Sequence, residues 1–141
     1  MLLGQYQVRV DAKGRIAIPK CLRKEIGETL IVTQGYENCL VVVNQKEWEK
    51  LVGETLVKPF SSGAGRDTRR FLLGGAFEVG LDGQGRFVIP PALRRYAGIS
   101  EEIVCLGIGR YLEIWNAQRW EEYQRYLDEH IEKIAEKLSE V

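Results

Sequence analysis

Alternating apolar positions open the chain: Tyr6, Val8 and Val10 recur at every second residue, the period of a half-buried strand. The alternation returns at Phe77, Val79 and Leu81. Each run leads into an Asp-x-x-Gly turn, DAKG from Asp11 or DGQG from Asp82, in which the aspartate can hydrogen-bond the turn backbone and the glycine supplies a positive φ. The strand then resumes over 15–18 and 86–89, which predicts a hairpin with a bulge in each half. Pro19 and Pro90 preset a first helical position, Leu22 with Ile26 and Leu93 with Ala97 form inward stripes, and Gly27 or Gly98 stops the helix. Two further strands follow in each half, 30–33 with 40–43 and 103–106 with 111–115. Asn44 and Asn116 then read as helix N-caps, the first with Glu47 three residues on.

These patterns are two copies of one unit. The segment DAKGRIAIPKCLR, starting at Asp11, returns as DGQGRFVIPPALR at Asp82, 71 positions later, with seven of thirteen positions identical. Gly4, Val8 and Gly27 recur as Gly75, Val79 and Gly98 at the same spacing. Gly35, Leu40, Asn44 and Trp48 recur as Gly107, Leu112, Asn116 and Trp120 one position later, which places one extra residue between Gly98 and Ile103. A unit of about 45 residues rarely buries enough apolar surface to fold alone, so the copies should share one core.

The chain divides into a first repeat (1–52), a linker with a short helix (53–74), a second repeat (75–120) and a C-terminal amphipathic helix (121–141). Within the linker, Pro59, Ser61, Ser62 and Gly63-Ala64-Gly65 predict a loop before a short basic helix over 66–73. Toward the C-terminus, Trp120, Tyr123, Leu127, Ile131, Ile134 and Leu138 fall at helical steps. They predict a helix about 33 Å long whose apolar face is covered either by the chain's own core or by a neighbouring subunit.

A length of 141 residues and 45% hydrophobic content suit a single soluble domain. No apolar run approaches the roughly 18 residues that a membrane span needs. Met1-Leu2-Leu3-Gly4 lacks the pattern of a leader, and a cytoplasmic location is expected. Cys21, Cys39 and Cys105 align with Ala92, Tyr111 and Thr33 of the other copy, so no thiol pair or metal site belongs to the repeated unit. They are expected to be reduced and structural.

Signs of catalysis are scarce. The single histidine, His130, lies in a charged helical segment and reads as solvated. No serine or cysteine elbow and no zinc spacing occurs, and Gly107-Ile108-Gly109 is too short for a phosphate loop. Asp11 and Asp82 are turn formers rather than a catalytic carboxylate pair. An enzyme, a cofactor, a metal and a small-molecule substrate are therefore not expected.

A net charge of zero argues against a nucleic-acid partner until its distribution is considered. Residues 9–24 carry six basic side chains against one acid, whereas residues 120–141 carry seven acids against three bases. One region could meet a polyanion while the other stays clear of it.

A two-stranded ribbon fits the major groove of duplex DNA, where arginine can grip guanine with two hydrogen bonds, lysine can reach guanine or phosphate, and glutamine can pair with adenine. The candidate readers are Lys13, Gly14 and Arg15 in the first turn and Gln84, Gly85 and Arg86 in the second. Arg9, Lys20, Arg23 and Lys24 are candidate phosphate contacts if they share that face. The plainer alternatives are solvated turn charges or a pure scaffold. Retention of Gly-Arg in both copies favours the readers, because a folding turn needs the glycine but not the arginine.

The double motif, with Asp11, Gly14, Arg15 and Pro19 repeated as Asp82, Gly85, Arg86 and Pro90, resembles the AbrB/MazE/SpoVT family of swapped-hairpin DNA-binding domains. The resemblance covers residues 1–120. It implies an α+β, mainly β fold: a double-split β-barrel of two interleaved repeats, assembled into a ring-shaped homo-oligomer. It further implies a nucleoid-associated bacterial transcriptional regulator that binds closely spaced direct repeats in double-stranded promoter DNA and represses its own cell-division and cell-wall gene cluster. By resemblance Lys13, Arg15 and Arg86 touch DNA. Gly83-Gln84 departs from a more basic family pattern, so the second turn is expected to be the weaker contact. Ring closure needs a head-to-tail interface, for which the last helix or Phe71-Leu72-Leu73 are candidates. The alternative is an antitoxin-like module that binds DNA through the same turns and also neutralises a toxin, which would carry a flexible acidic tail.

Overall fold

The computed structural model describes residues 1–140. In chain order its elements are β1 (Leu2–Arg9), β2 (Arg15–Ala17), α1 (Lys20–Ile26), β3 (Thr29–Gln34), β4 (Leu40–Asn44), α2 (Gln45–Thr55), α3 (Gly63–Leu72), β5 (Phe77–Gly80), β6 (Arg86–Val88), α4 (Pro91–Ala97), β7 (Glu102–Gly109), β8 (Leu112–Asn116) and α5 (Ala117–Glu136). This is an α+β fold dominated by antiparallel sheet. Six strands form one sheet in the order β1-β7-β8-β4-β3-β5, and β2 pairs with β6 in a separate ribbon. Among the described residues no helix is long and apolar enough to cross a membrane.

The two repeats are interleaved through their strands. β1 of the first repeat pairs with β7 of the second, Val8 lying opposite Ile103, while β5 of the second pairs with β3 of the first, Val79 lying opposite Leu30. In the small ribbon Ile16 lies opposite Phe87, its own equivalent in the other copy, so the pseudo-twofold axis passes between them. The copies share one core. Ile16, Ile18, Leu22 and Ile26 are buried in the same cluster as Phe87, Ile89, Leu93 and Ala97.

The hairpin expected at each Asp-x-x-Gly turn is corrected by this topology. The turn closes, with Asp11 N donating to Arg15 O at 2.9 Å and Gly14 N to Asp11 O at 3.0 Å. Beyond it the strands part, because β2 takes β6 as its ladder partner and Pro19 ends it after three residues. The proline itself sits one position earlier than expected: Pro19, with ψ 134°, is the N-cap of α1 rather than its first helical residue, and Pro90 caps α4 in the same way.

Strand register also revises the alignment of the copies. Leu30 pairs with Asn44 and Ile103 with Asn116, so β3 and β7 correspond at an offset of 73, not 72. Two residues are added between Gly98 and Ile103, and one is removed from the following loop, where 108–111 replace 35–39. Cys105 therefore corresponds to buried Val32, not Thr33, and Gln34 rather than Gly35 matches Gly107. The longer first loop holds Glu37 and Asn38, both at φ 60°. Identity at small loop residues is a weak guide to register, whereas burial on alternate positions fixes it.

Both helix caps form as expected. Asn44 Oδ1 accepts from Glu47 N at 2.9 Å and Asn116 Oδ1 from Arg119 N at 3.0 Å. The reciprocal half of the first capping box is absent, since the Glu47 carboxylate takes Arg110 Nε at 2.8 Å instead. In the linker, Ser62 caps α3 and draws Gly63-Ala64-Gly65 into its first turn, so the expected loop is helical there. Phe71 is engaged within the chain, between the rings of Tyr36 and Tyr96.

Only the start of α5 joins the core. Trp120 is buried against Trp115, ring centroids 5.3 Å apart, and its indole donates to Gln5 Oε1 at 3.2 Å. Tyr123 and Leu127 pack beside it, whereas Ile131 and Leu138 are exposed. Cys39 and Cys105 are buried and Cys21 is exposed, all three as free thiols. Burial pushes the Cys105 thiol up to about 12 and raises that of Cys39 as well.

Candidate nucleic-acid interface

Each turn is held by its aspartate. Asp11 Oδ1 accepts from the backbone amides of Lys13 and Arg15, both at 2.9 Å, and Oδ2 accepts from Arg15 Nε at 2.7 Å. The second turn repeats the set: Asp82 Oδ1 takes the amides of Gln84 and Arg86 at 2.9 Å, and Oδ2 takes Arg86 Nε at 2.9 Å. Hydrogen bonds to the ionised carboxyl favour its charged form. The Arg15 amide, followed by the Arg15 side chain, holds Asp11 down to about 2, and the Arg86 amide lowers Asp82 in the same way.

Both arginines therefore have a role in folding the turn that the sequence reading did not assign. Repetition of Gly-Arg is by itself weaker support for DNA reading than it looked. What the bond leaves free matters more. Nε faces the aspartate, and among the described residues no hydrogen bond engages the terminal amino groups of Arg15 or Arg86, whose side chains are 28% and 30% exposed. Those groups form the outer edge of the guanidinium, and the aspartate fixes its direction before any ligand arrives.

The two turns lie at opposite ends of the β2–β6 ribbon. Gly14 O accepts from Ile89 N at 3.1 Å and Gly85 O from Ile18 N at 2.9 Å. The strand rise puts them about 14 Å apart along the ribbon.

A helix of the opposite repeat covers each turn. A Cβ on Gly14 would come within 2.6 Å of Arg94 Nη1, and one on Gly85 would collide with the Arg23 guanidinium, whose Nε donates to Ile18 O at 2.7 Å. Gly14 and Gly85 have φ of 78° and 72°, so both positions favour glycine for conformation, and at Gly85 the anchored Arg23 side chain leaves no room for a methyl as well. Arg23 thus belongs to the second turn, although it lies in the first repeat, and it acts there by packing.

Lys13 joins Arg15 at the first turn and Gln84 joins Arg86 at the second. Lys20 and Lys24 are exposed on α1 beside Arg23. Arg9 ends β1, opposite Glu102 in register. Arg94 of α4, which the sequence reading did not single out, lies against Gly14, and Arg95 lines the same cavity as Lys13. They are the equivalents of Arg23 and Lys24 at the repeat spacing, so the signal was present. His130 lies exposed on α5, its ring stacked on Tyr126 with centroids 4.6 Å apart.

Comparison with known proteins narrows the resemblance to one family. The two motif copies, Ala76-Phe77 before the second and Tyr111 to Trp115 after it, resemble MraZ in particular. A family model described as "MraZ protein, putative antitoxin-like" matches residues 1–71 and again 72–140. A "Transcriptional regulator MraZ" of Thermoanaerobacter sp. (strain X514) is 40% identical over 141 residues, covering 100% of this chain and 99% of the relative. One of the same name from Syntrophomonas wolfei is 41% identical over 138 residues, 98% of this chain and 96% of the relative. One from Clostridium tetani is 41% identical over 143 residues, covering 100% and 99%. These are names of regulators, not of enzymes.

Proposed function

The chain belongs to the MraZ family of transcriptional regulators, and on that premise we propose that it binds promoter DNA sequence-specifically through its two Asp-clamped arginine turns. The observation that carries this is the pair of guanidinium edges, oriented by Asp11 and Asp82 and left without a hydrogen-bond partner among the described residues. Arg15 and Arg86 read guanine in the major groove, Lys13 reaches guanine or phosphate, Gln84 pairs with adenine, and Gly14 and Gly85 keep the backbone slim enough to approach. Lys20 and Lys24 contact phosphates and set the register.

Each turn reads only a few bases, and a good bidentate pair discriminates by about 1–3 kcal/mol. A chain of zero net charge gains useful affinity by linking several such sites. The interleaved repeats form a double-split barrel, copies assemble head to tail into a ring, and neighbouring subunits take successive direct repeats upstream of the gene. Occupancy there represses the protein's own cell-division and cell-wall gene cluster and keeps the protein at the nucleoid. A tail that is helical and anchored through Trp120 weighs against the antitoxin-like alternative, which calls for a flexible one.

Footprinting on the DNA upstream of the gene tests the proposal. The expected pattern is protection of evenly spaced direct repeats at protein concentrations that leave a scrambled fragment unprotected. Equal protection of both fragments would refute sequence-specific reading.

A further inference from the structure

Beside the first turn an open cleft of about 490 Å³ lies between Lys13 and the second repeat's helix, lined by Val88, Ile89, Pro91, Arg94 and Arg95 among others, with no acidic residue in its lining. Carboxylates within 4.0 Å pair Arg15, Lys50, Arg70, Arg86, Arg110 and Arg125, and among the described residues most other cations of the chain stand without one; what sets the cleft apart is that three such cations line one acid-free cavity. Among the described residues, Lys13, Arg94 and Arg95 have none. Three uncompensated cations around one cleft repel one another, and a bound anion relieves that repulsion. The cleft adjoins the Arg15 turn, since Arg94 packs on Gly14.

We infer that each DNA-contacting head is composite, a turn from one repeat and a helix from the other, and that the Lys13–Arg94–Arg95 cleft holds a backbone phosphate diester next to the base read by Arg15. This rests on the DNA-binding reading above. The pseudo-twofold axis gives the second head the same composition: the Arg86 turn with Lys20, Arg23 and Lys24 of α1.

The two heads are then better matched than their turns. Where the second turn has Gln84 in place of Lys13, its partner helix has Lys20 in place of Pro91. Lysine has moved from turn to helix, leaving three flanking cations at each head: Lys13, Arg94 and Arg95 at the first, and Lys20, Arg23 and Lys24 at the second. The second head thereby gains from its helix the lysine that its turn lacks, Lys20 standing in for Lys13. Arg23 is a positioning residue within it, since its guanidinium is held by Ile18 O and packs on Gly85.

The test is a set of anisotropy titrations of the full-length protein on a duplex from upstream of its gene and on a scrambled duplex, over a series of salt concentrations. Arg95→Ala, Lys20→Ala and Arg15→Ala are compared with wild type. Arg95 and Lys20 are exposed, and circular dichroism verifies that the variants remain folded. Arg95→Ala and Lys20→Ala are expected to weaken both duplexes alike and to lower the slope of log K against log salt by about one per engaged subunit, with the ratio between duplexes unchanged. Arg15→Ala is expected to reduce that ratio. Specific, salt-dependent wild-type binding with Arg95→Ala and Lys20→Ala unaffected would overturn the composite head and leave the DNA reading standing. Wild-type binding indifferent to salt and sequence would overturn both.

Discussion

Arg15 donates its Nε to Asp11 Oδ2 at 2.7 Å, and Arg86 repeats the bond to Asp82 at 2.9 Å, so one carboxylate closes each turn and orients its arginine. Arg15→Ala removes one solvent-screened ion pair and should change stability little. Asp11→Ala also strips the Lys13 and Arg15 amides of their acceptor. It should lower the denaturation midpoint further than Arg15→Ala does, while abolishing DNA binding as completely. Comparing the two midpoints checks the division of roles.

The pH response of the turn follows from the same bonds. The Asp11 carboxyl is depressed from 3.8 to about 2 in the folded chain, so its contribution to stability is present above the unfolded value and is lost as pH falls through the folded one. The turn should therefore be indifferent to pH near neutrality and should open only in strong acid. Because the Arg15 amide is the larger cause of the shift and survives truncation of the side chain, Arg15→Ala should return the Asp11 titration only part of the way to normal. Carboxyl chemical shifts followed by NMR through the acid range check both statements.

Gly14→Ala should be costly because of its backbone conformation. Its φ of 78° is unfavourable to an L side chain by roughly 1–2 kcal/mol, and the new methyl moves the Arg94 tip, which shifts at little cost to the fold but changes the face beside the turn. Gly83, with nothing within 4 Å of a built Cβ, should accept alanine with little change in stability. Urea denaturation of the two variants gives the comparison.

Leu22 and Leu93 lie in one cluster, so either replacement by alanine should cost about 2–5 kcal/mol and loosen both repeats together. The indole NMR signals of Trp48 and Trp115, one in each repeat, should vanish at the same urea concentration in Leu22→Ala. Separate midpoints would mean that the repeats fold independently.

Truncation after residue 129 should leave the fold intact, because Ile131 and Leu138 are exposed. Trp120→Ala should cost about 3–5 kcal/mol through loss of a buried aromatic contact. Melting curves of the two variants distinguish the anchoring segment of α5 from its overhang.

The sequence carried the repeat, the turns, the caps and the core stripes, because each is written in local chemistry: aspartate and glycine at a turn, asparagine at a cap, leucine at helical spacing. It did not carry the partners of the strands. Nothing local in residues 15–17 says that they pair with residues 86–88 rather than fold back on β1, and only the long-range register reveals it. The same limit hid half of the candidate site. Arg94 lies 80 positions from Gly14 and meets it only through the interleaving, although its equivalence to Arg23 was visible in the repeat. The ionic bond of Arg15 to Asp11 is local at four residues, so its spacing was legible in the sequence at both turns.

The central claim is that the clamped arginines read promoter DNA. Its most direct test is an anisotropy titration of the full-length protein on the duplex upstream of its own gene, at two salt concentrations, with Arg15→Ala and Arg86→Ala alongside. The account predicts tight wild-type binding that weakens steeply with salt and a large loss of affinity in each variant that remains folded. A binding constant indifferent to salt and to both substitutions would contradict it.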